Sequence, residues 1–137
     1  MADSTINIDE INWSERKVLI VEDEIMNYLY LEEALRETSA EITWCKNGQE
    51  AVEKVVAEKI LFDIVLMDVK MPLMNGYEAT KIIKKYKPEI PIIIQTAYAM
   101  QNEKEKGFDA GCDEYLEKPI KQDRLLLTIN KFIKQKT

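Results

Sequence analysis

Residues 65–76 read V-L-M-D-V-K-M-P-L-M-N-G, and Asp68 within that stretch decides how the chain is read. Ile64 to Met67 is an unbroken apolar run of the kind that fills the middle of a buried strand. Asp68 ends it, and a loop bearing Pro72, Asn75 and Gly76 follows. A carboxylate at the mouth of a hydrophobic strand is exposed, paired or bound to a cation. What else reaches the same end of the sheet determines which.

Similar apolar runs recur on both sides, at Val18–Val21, Ile42–Trp44, Ile92–Ile94 and the shorter Tyr115–Leu116. Between them lie stretches of helical period. Tyr28, Leu31 and Leu35 form one stripe, and Val52, Val55 and Val56 a second. Ala79, Ile82, Ile83 and Tyr86 form a third, and Leu125, Ile129, Phe132 and Ile133 a fourth. Strands alternating with helices predict successive crossovers and a parallel α/β sheet. The runs beginning at 18, 64 and 92 are expected to be central strands, covered on both faces. The alternating Glu41-Ile42-Thr43-Trp44 is expected at an edge. Asn47-Gly48 and Asn75-Gly76 are expected to open the second and third helices. Pro88 and Pro91 bracket the turn into the fourth strand, and Asp109-Ala110-Gly111 stops the fourth helix. Residues 1–16 form a polar, acidic lead without period, read as a tail or linker from which Trp13 can pack back on the domain.

A chain of 137 residues suits one domain with a proper core. With 25 acidic against 19 basic side chains the net charge is −6. That balance argues against non-specific nucleic-acid binding and against docking on an anionic membrane. No apolar run approaches the roughly 18 residues of a membrane helix, and the first residues carry no signal core. The expected location is the cytoplasm. Cys45 and Cys112 are too few and too far apart for a paired Cys-x-x-Cys zinc site, and read as packing residues in a reducing compartment. The chain has no histidine. A Ser/His/Asp triad, a Cys/His pair, histidine metal ligation and a phosphohistidine are therefore excluded within it.

The polar residues that follow each strand form a pattern. Glu22-Asp23 follows the first, Asp68 the third, Thr96 the fourth and Lys118-Pro119 the fifth. In an open parallel sheet these ends share one rim, where ligands bind. Three carboxylates placed together repel, and a hard divalent cation relieves the repulsion. Mg²⁺ prefers one or two carboxylates plus waters and phosphate oxygens. The expected inner ligands are Asp23 and Asp68, with the backbone carbonyl of Lys70 as a third and Glu22 acting through water. The plainer reading is that Glu22-Asp23 caps the first helix, and capping can coexist with metal binding. Asp68 beside a metal, a hydroxyl and an ammonium can attack a phosphoryl group and carry it as an acyl phosphate. Such transfer is mostly positioning and charge neutralisation. Mg²⁺, Lys118 and the Thr96 hydroxyl would each serve one transferring oxygen. Singly, Thr96 is an ordinary strand end and Lys118 a solvated lysine; their joint placement points to a site.

The set V-L-I-V-E-D-E (18–24), V-L-M-D-V-K-M-P-L-M-N-G (65–76), Q-T-A-Y-A (95–99) and Y-L-E-K-P-I (115–120) resembles the receiver domain of two-component response regulators. The likeness covers residues 17 to about 134. It implies a flavodoxin-like (βα)₅ doubly wound sheet of strand order 2-1-3-4-5. It also implies that Asp68 is the phosphoacceptor, served by a phosphohistidine on a sensor histidine kinase or histidine phosphotransfer domain. By the same likeness Glu22 and Asp23 match the acidic pair, Thr96 the switch hydroxyl, Lys118 the site lysine and Tyr115 the switch aromatic. The pair is Glu-Asp where many members have Asp-Asp. Lys118-Pro119 matches a bond that is cis in the family, and Lys70 and Tyr98 match positions that tune hydrolysis.

On phosphorylation Thr96 is expected to swing toward Asp68, and Tyr115, outward at rest, to turn inward behind it. The altered surface would be the fourth helix, fifth strand and fifth helix, where a partner or a second copy could dock. The chain reads as a stand-alone receiver or one cut from a larger protein. The style of 63–120 resembles receivers fused to hybrid histidine kinases, whose cytoplasmic portion would hold it. Three rival readings are weaker. A haloacid-dehalogenase-like phosphohydrolase needs a second Asp two residues after the nucleophile, where Lys70 stands. An FMN binder needs a phosphate loop after the first strand, where Glu22, Asp23 and Glu24 would repel phosphate. A degenerate receiver acting as an interaction module would lack some of the five site residues, all of which are present.

Overall fold

A computed structural model describes residues 7–97 and 100–133. Five strands form one parallel sheet: β1 (Lys17–Val21), β2 (Glu41–Cys45), β3 (Ile64–Asp68), β4 (Ile92–Thr96) and β5 (Glu114–Glu117). Their order is β2-β1-β3-β4-β5, with every neighbouring pair parallel. The helices are α1 (Ile25–Leu35), α2 (Gly48–Val52), α3 (Gly76–Tyr86), α4 (Gln101–Ala110) and α5 (Gln122–Asn130). This is the flavodoxin-like arrangement expected.

The apolar runs behave as central strands. Every residue of β3 and β4 is buried, as is all of β1 except Lys17, whereas β2 at the edge is half exposed. Alternate residues feed opposite faces. Val18 and Ile20 join Leu31 and Leu35 of α1 and Leu125 and Ile129 of α5 in one half of the core. Leu19, Val21, Val65 and Met67 join Ala51 of α2 and Ala79 and Ile83 of α3 in the other.

Helix ends follow local chemistry. The Asn47 side chain accepts the Glu50 N–H at 2.8 Å and opens α2. Asn75 and Glu78 exchange side-chain-to-backbone bonds of 2.9 and 3.0 Å, a reciprocal cap that starts α3. Gly111, at φ +109°, ends α4 in the left-handed region that glycine enters without strain. The helical stripes hold less well at their ends. Tyr86, the last residue of α3, is 55% exposed, with the Lys85 ammonium over its ring. The stripe of Val52, Val55 and Val56 does pack on the second half of the core, with only Val55 fully buried, although α2 widens into a π turn over Glu53–Ala57. Helix α5 stops at Asn130, although Ile133 beyond it is still buried.

Trp13 does pack back on the domain. It is wholly buried, with Ile11 beside it in the α1–α5 half of the core. Its backbone N–H donates to the Thr38 carbonyl at 2.6 Å, and the Glu41 N–H reaches Arg16 O at 2.8 Å. The indole N–H has no hydrogen-bond partner among the described residues. Trp13→Ala should therefore cost about 3–5 kcal/mol in urea unfolding, while Trp13→Phe, which removes the unpaired donor, should cost much less.

Candidate functional site

Register brings the acidic residues together. Val21 lies opposite Met67 across β1 and β3, so Glu22 and Asp68 leave adjacent strands at the same rim. On the other side Asp68 pairs with Gln95, and Thr96 with Glu117, which places Lys118 one residue beyond. A cleft of about 670 Å³ opens there, lined by Glu22, Asp23, Asp68, Lys70, Thr96 and Lys118 among others.

Glu22 is wholly buried, and both its carboxylate oxygens are engaged. Oε1 accepts from the Lys118 ammonium at 2.8 Å; Oε2 accepts from the Glu24 N–H at 3.2 Å and from Asn27 at 3.4 Å. Asp68 is also buried, and its Oδ1 accepts from the same ammonium at 3.2 Å. Asp23 is exposed at the mouth of the cleft. Glu22, Asp23 and Asp68 each offer an oxygen within 4.8 Å of the others, the one such acidic cluster among the described residues.

These positions strain the charge balance. Burial pushes the Asp68 carboxyl up to about 6, the Lys118 charge draws it down, and Glu22 adds to the rise. Asp23 is raised as well, by burial and by the charges of Glu22 and Glu24, against the bond to its own backbone N–H. Burial alone would lower Lys118, but its bond to Glu22 and the charges of Asp68 and Glu22 outweigh this and leave it raised. Fully ionised, the four carboxylates of Glu22, Asp23, Glu24 and Asp68 outnumber the two ammonium groups of Lys70 and Lys118 along the cleft, leaving two negative charges in excess. That excess and the all-oxygen donor set fit a hard divalent cation such as Mg²⁺.

Helix α3 abuts the rim. A Cβ on Gly76 would lie 1.9 Å from the Asp68 carbonyl, so only glycine allows this approach. The Gly76 N–H also donates to Val69 O at 2.8 Å. Helix α1 begins after Glu24, whose side chain makes no cap bond; Glu22 instead accepts the Glu24 N–H. The Lys118–Pro119 bond is cis. The Cys45 and Cys112 thiols are buried and pushed by desolvation up to about 11 and about 12, in keeping with packing residues.

One expectation is overturned. Tyr115, read as pointing outward at rest, is 6% exposed. Two features explain its burial. Gly107 has no side chain to fill the space beside it, since a Cβ there would come within 2.8 Å of the Tyr115 ring. Tyr77 supplies a hydroxyl 3.3 Å from the Tyr115 hydroxyl, and itself bonds the carbonyl and carboxylate of Glu103 in α4. Tyr98 lies outside the described residues. Sequence reasoning missed Asn27, Tyr30, Trp44 and Tyr77. Asn27 was recoverable, standing four residues after Asp23 as a helix begins. Tyr30, whose hydroxyl donates to the Ile120 carbonyl, and the other two act across the fold and leave no local signal.

No helix among the described residues is long and apolar enough to cross a membrane. The response regulator receiver domain profile matches residues 18–130. Hybrid signal transduction histidine kinase I of Dictyostelium discoideum is 38% identical over 122 residues, 84% of this chain and 7% of that protein. Sensor protein GacS of Pseudomonas syringae pv. syringae is 39% identical over 121 residues, 85% of this chain and 13% of that one. The chain thus spans a small part of the length of these relatives. Among solved structures, the receiver domain of a sensor histidine kinase from Pseudomonas aeruginosa PAO1 is 34% identical with a TM-score of 0.78. The match covers 85% of this chain and 96% of that one, which is described with a magnesium ion coordinated in its active site cleft. The fold, the acidic cluster and these likenesses agree: the chain belongs to the response regulator receiver domain family of two-component systems.

Proposed function

We propose that Asp68 is the phosphoacceptor of this receiver, supplied by a phosphohistidine on a sensor histidine kinase or histidine phosphotransfer domain. The observation that carries this reading is the cleft in which three carboxylates face the Lys118 ammonium. In the transfer, a carboxylate oxygen of Asp68 forms a bond to phosphorus as the phosphorus–nitrogen bond to the donor imidazole breaks. The electron pair of that bond returns to the imidazole nitrogen, which takes a proton from solvent. Asp23, Asp68 and the Lys70 carbonyl would hold Mg²⁺, with Glu22 acting through water. When bound, the cation supplies charge neutralisation for a transferring oxygen. Lys118 is already beside Asp68 and neutralises a second, and the Thr96 hydroxyl donates to a third.

The domain is taken as residues 17–134, with Ile11 and Trp13 closing its core from the preceding segment. Its setting would be the cytoplasm, free-standing or as the cytoplasmic portion of a hybrid kinase. The output surface would be α4, β5 and α5, through which a phosphorylated homodimer could form. With Tyr115 already buried, the switch would rest on Thr96 and on how tightly Tyr77 holds Tyr115.

Incubation with acetyl phosphate and Mg²⁺ should raise the intact mass by one phosphate in the wild type. No gain is expected in Asp68→Asn, in Asp23→Ala, or with EDTA. A phosphate that persists in Asp68→Asn or maps to Ser, Thr or Tyr contradicts the reading. Lys118→Ala should keep Mg²⁺ binding and lose most of the chemical-shift response to beryllofluoride, a stand-in for the phosphoryl group.

A pH dependence follows from the raised Asp68 carboxyl. The folded protein holds this proton more tightly than the unfolded chain, so the stability it confers is full below about pH 4 and is lost as pH rises through about 6. Asp68→Asn cannot lose that proton, and Lys118 keeps its bond to Glu22. Without metal, the variant should gain on wild type between pH 4 and pH 7.5, by up to about 3 kcal/mol. Urea titrations at the two pH values check this; a gap that does not widen with pH contradicts it.

A further inference from the structure

Trp44 stands at the end of the edge strand β2, beside the last residue paired with β1. Its indole N–H donates to the backbone carbonyl of Glu22 at 2.8 Å. The Glu22 N–H in turn donates to Cys45 O at 2.9 Å. Strand β2 therefore holds both backbone groups of Glu22, one through its main chain and one through a side chain. The ladder register ends at Val21 and Cys45, so the indole extends the grip one residue further, onto the acidic pair.

The indole is itself held. The Tyr28 ring of α1 stacks on it at 4.1 Å and 5° between planes, and the Lys46 ammonium lies 5.3 Å from its centroid. The Tyr28 hydroxyl donates to Glu32 at 3.2 Å, which steadies the stack against α1. The Glu22 carbonyl belongs to the planar peptide that joins Glu22 to Asp23. Fixing that plane fixes the direction in which the chain leaves β1, and with it the starting point of the Asp23 side chain. Asp23 is exposed, and it has no deep packing of its own to hold it over Asp68.

We propose that Trp44 is a positioning residue for the Glu22–Asp23 pair and thereby sets the affinity of the cleft for a divalent cation. The proposal rests on the metal reading above. Trp44 is not among the residues that line the cleft; it acts through the peptide that carries Asp23. A ring that only packs the edge of the sheet would contribute to stability and leave cation binding unchanged.

Trp44→Phe keeps an aromatic ring for Tyr28 and removes the N–H donor. The full chain, the Trp44→Phe variant and Asp23→Ala are titrated with Mg²⁺ by calorimetry, and their thermal midpoints are measured without metal. Loss of one neutral hydrogen bond should weaken Mg²⁺ binding in Trp44→Phe by roughly three- to tenfold. Its midpoint without metal should fall by only a few degrees, as loss of a hydrogen bond already made in the metal-free protein requires. In wild-type protein, the indole N–H resonance of Trp44 should move during the titration, and that of Trp13, buried in the α1–α5 half of the core, should stay fixed. An unchanged affinity in Trp44→Phe, with or without a lowered midpoint, overturns the proposal and leaves the metal reading standing. So does a Trp44 resonance that stays still at Mg²⁺ saturation. Wild-type Mg²⁺ affinity in Asp23→Ala overturns the metal reading and the proposal with it.

Discussion

The Lys118 ammonium lies between two buried carboxylates, 2.8 Å from Glu22 and 3.2 Å from Asp68, and the site is organised around it. Taking three charged groups out of water is costly, and such a cluster is weak evidence for stability. Replacing it with apolar residues would as readily stabilise the fold. Its value lies in what it prepares. Glu22 holds the lysine at the edge of the cleft, and Asp68 is left with less compensation than its burial demands, as its carboxyl near 6 records. On the proposed function, a cation and a phosphoryl group are together what this imbalance would accommodate.

The fold supplies the convergence. In the order β2-β1-β3-β4-β5, the first and third strands are neighbours, so the acidic pair and Asp68 meet although Asp68 stands 45 positions after Asp23. Strands β4 and β5 bring Thr96 and Lys118 to the same rim from the other side. The loop after Asp68 is pinned from below, since Gly76 lets the start of α3 sit against the Asp68 carbonyl. Backbone position is therefore tightly set on the Asp68 side. On the Asp23 side the Glu22 backbone is held by β2, through Cys45 and the Trp44 indole, and its carboxylate by Lys118, Asn27 and the Glu24 N–H.

What could be read in the sequence was what depends on neighbours along the chain. The buried strands announced themselves as apolar runs, the caps as Asn47 and Asn75, and the stop of α4 as Gly111. The site residues were legible because each ends a strand or stands within two residues of its end, so locating the strand ends located the site. Strand order was not contained in those runs and came from resemblance to a family. The burial of Tyr115 depends on Gly107 and on a hydroxyl from Tyr77, 38 residues away, and neither marks itself locally. The π turn after α2 and the reach of Trp44 to Glu22 are likewise products of packing. The missing histidine was the opposite case, an absence visible at once that places any phosphohistidine outside these 137 residues.

The central claim is that this imbalance of charge makes a cation site where Asp23 and Asp68 converge. Anomalous diffraction from crystals soaked in Mn²⁺, a redox-stable stand-in for Mg²⁺ with a measurable signal, tests it most directly. The account predicts a peak between the Asp23 and Asp68 carboxylates, with Lys118 still bonded to Glu22. A cleft without a peak at saturating Mn²⁺, or a cation held only elsewhere on the chain, would contradict it.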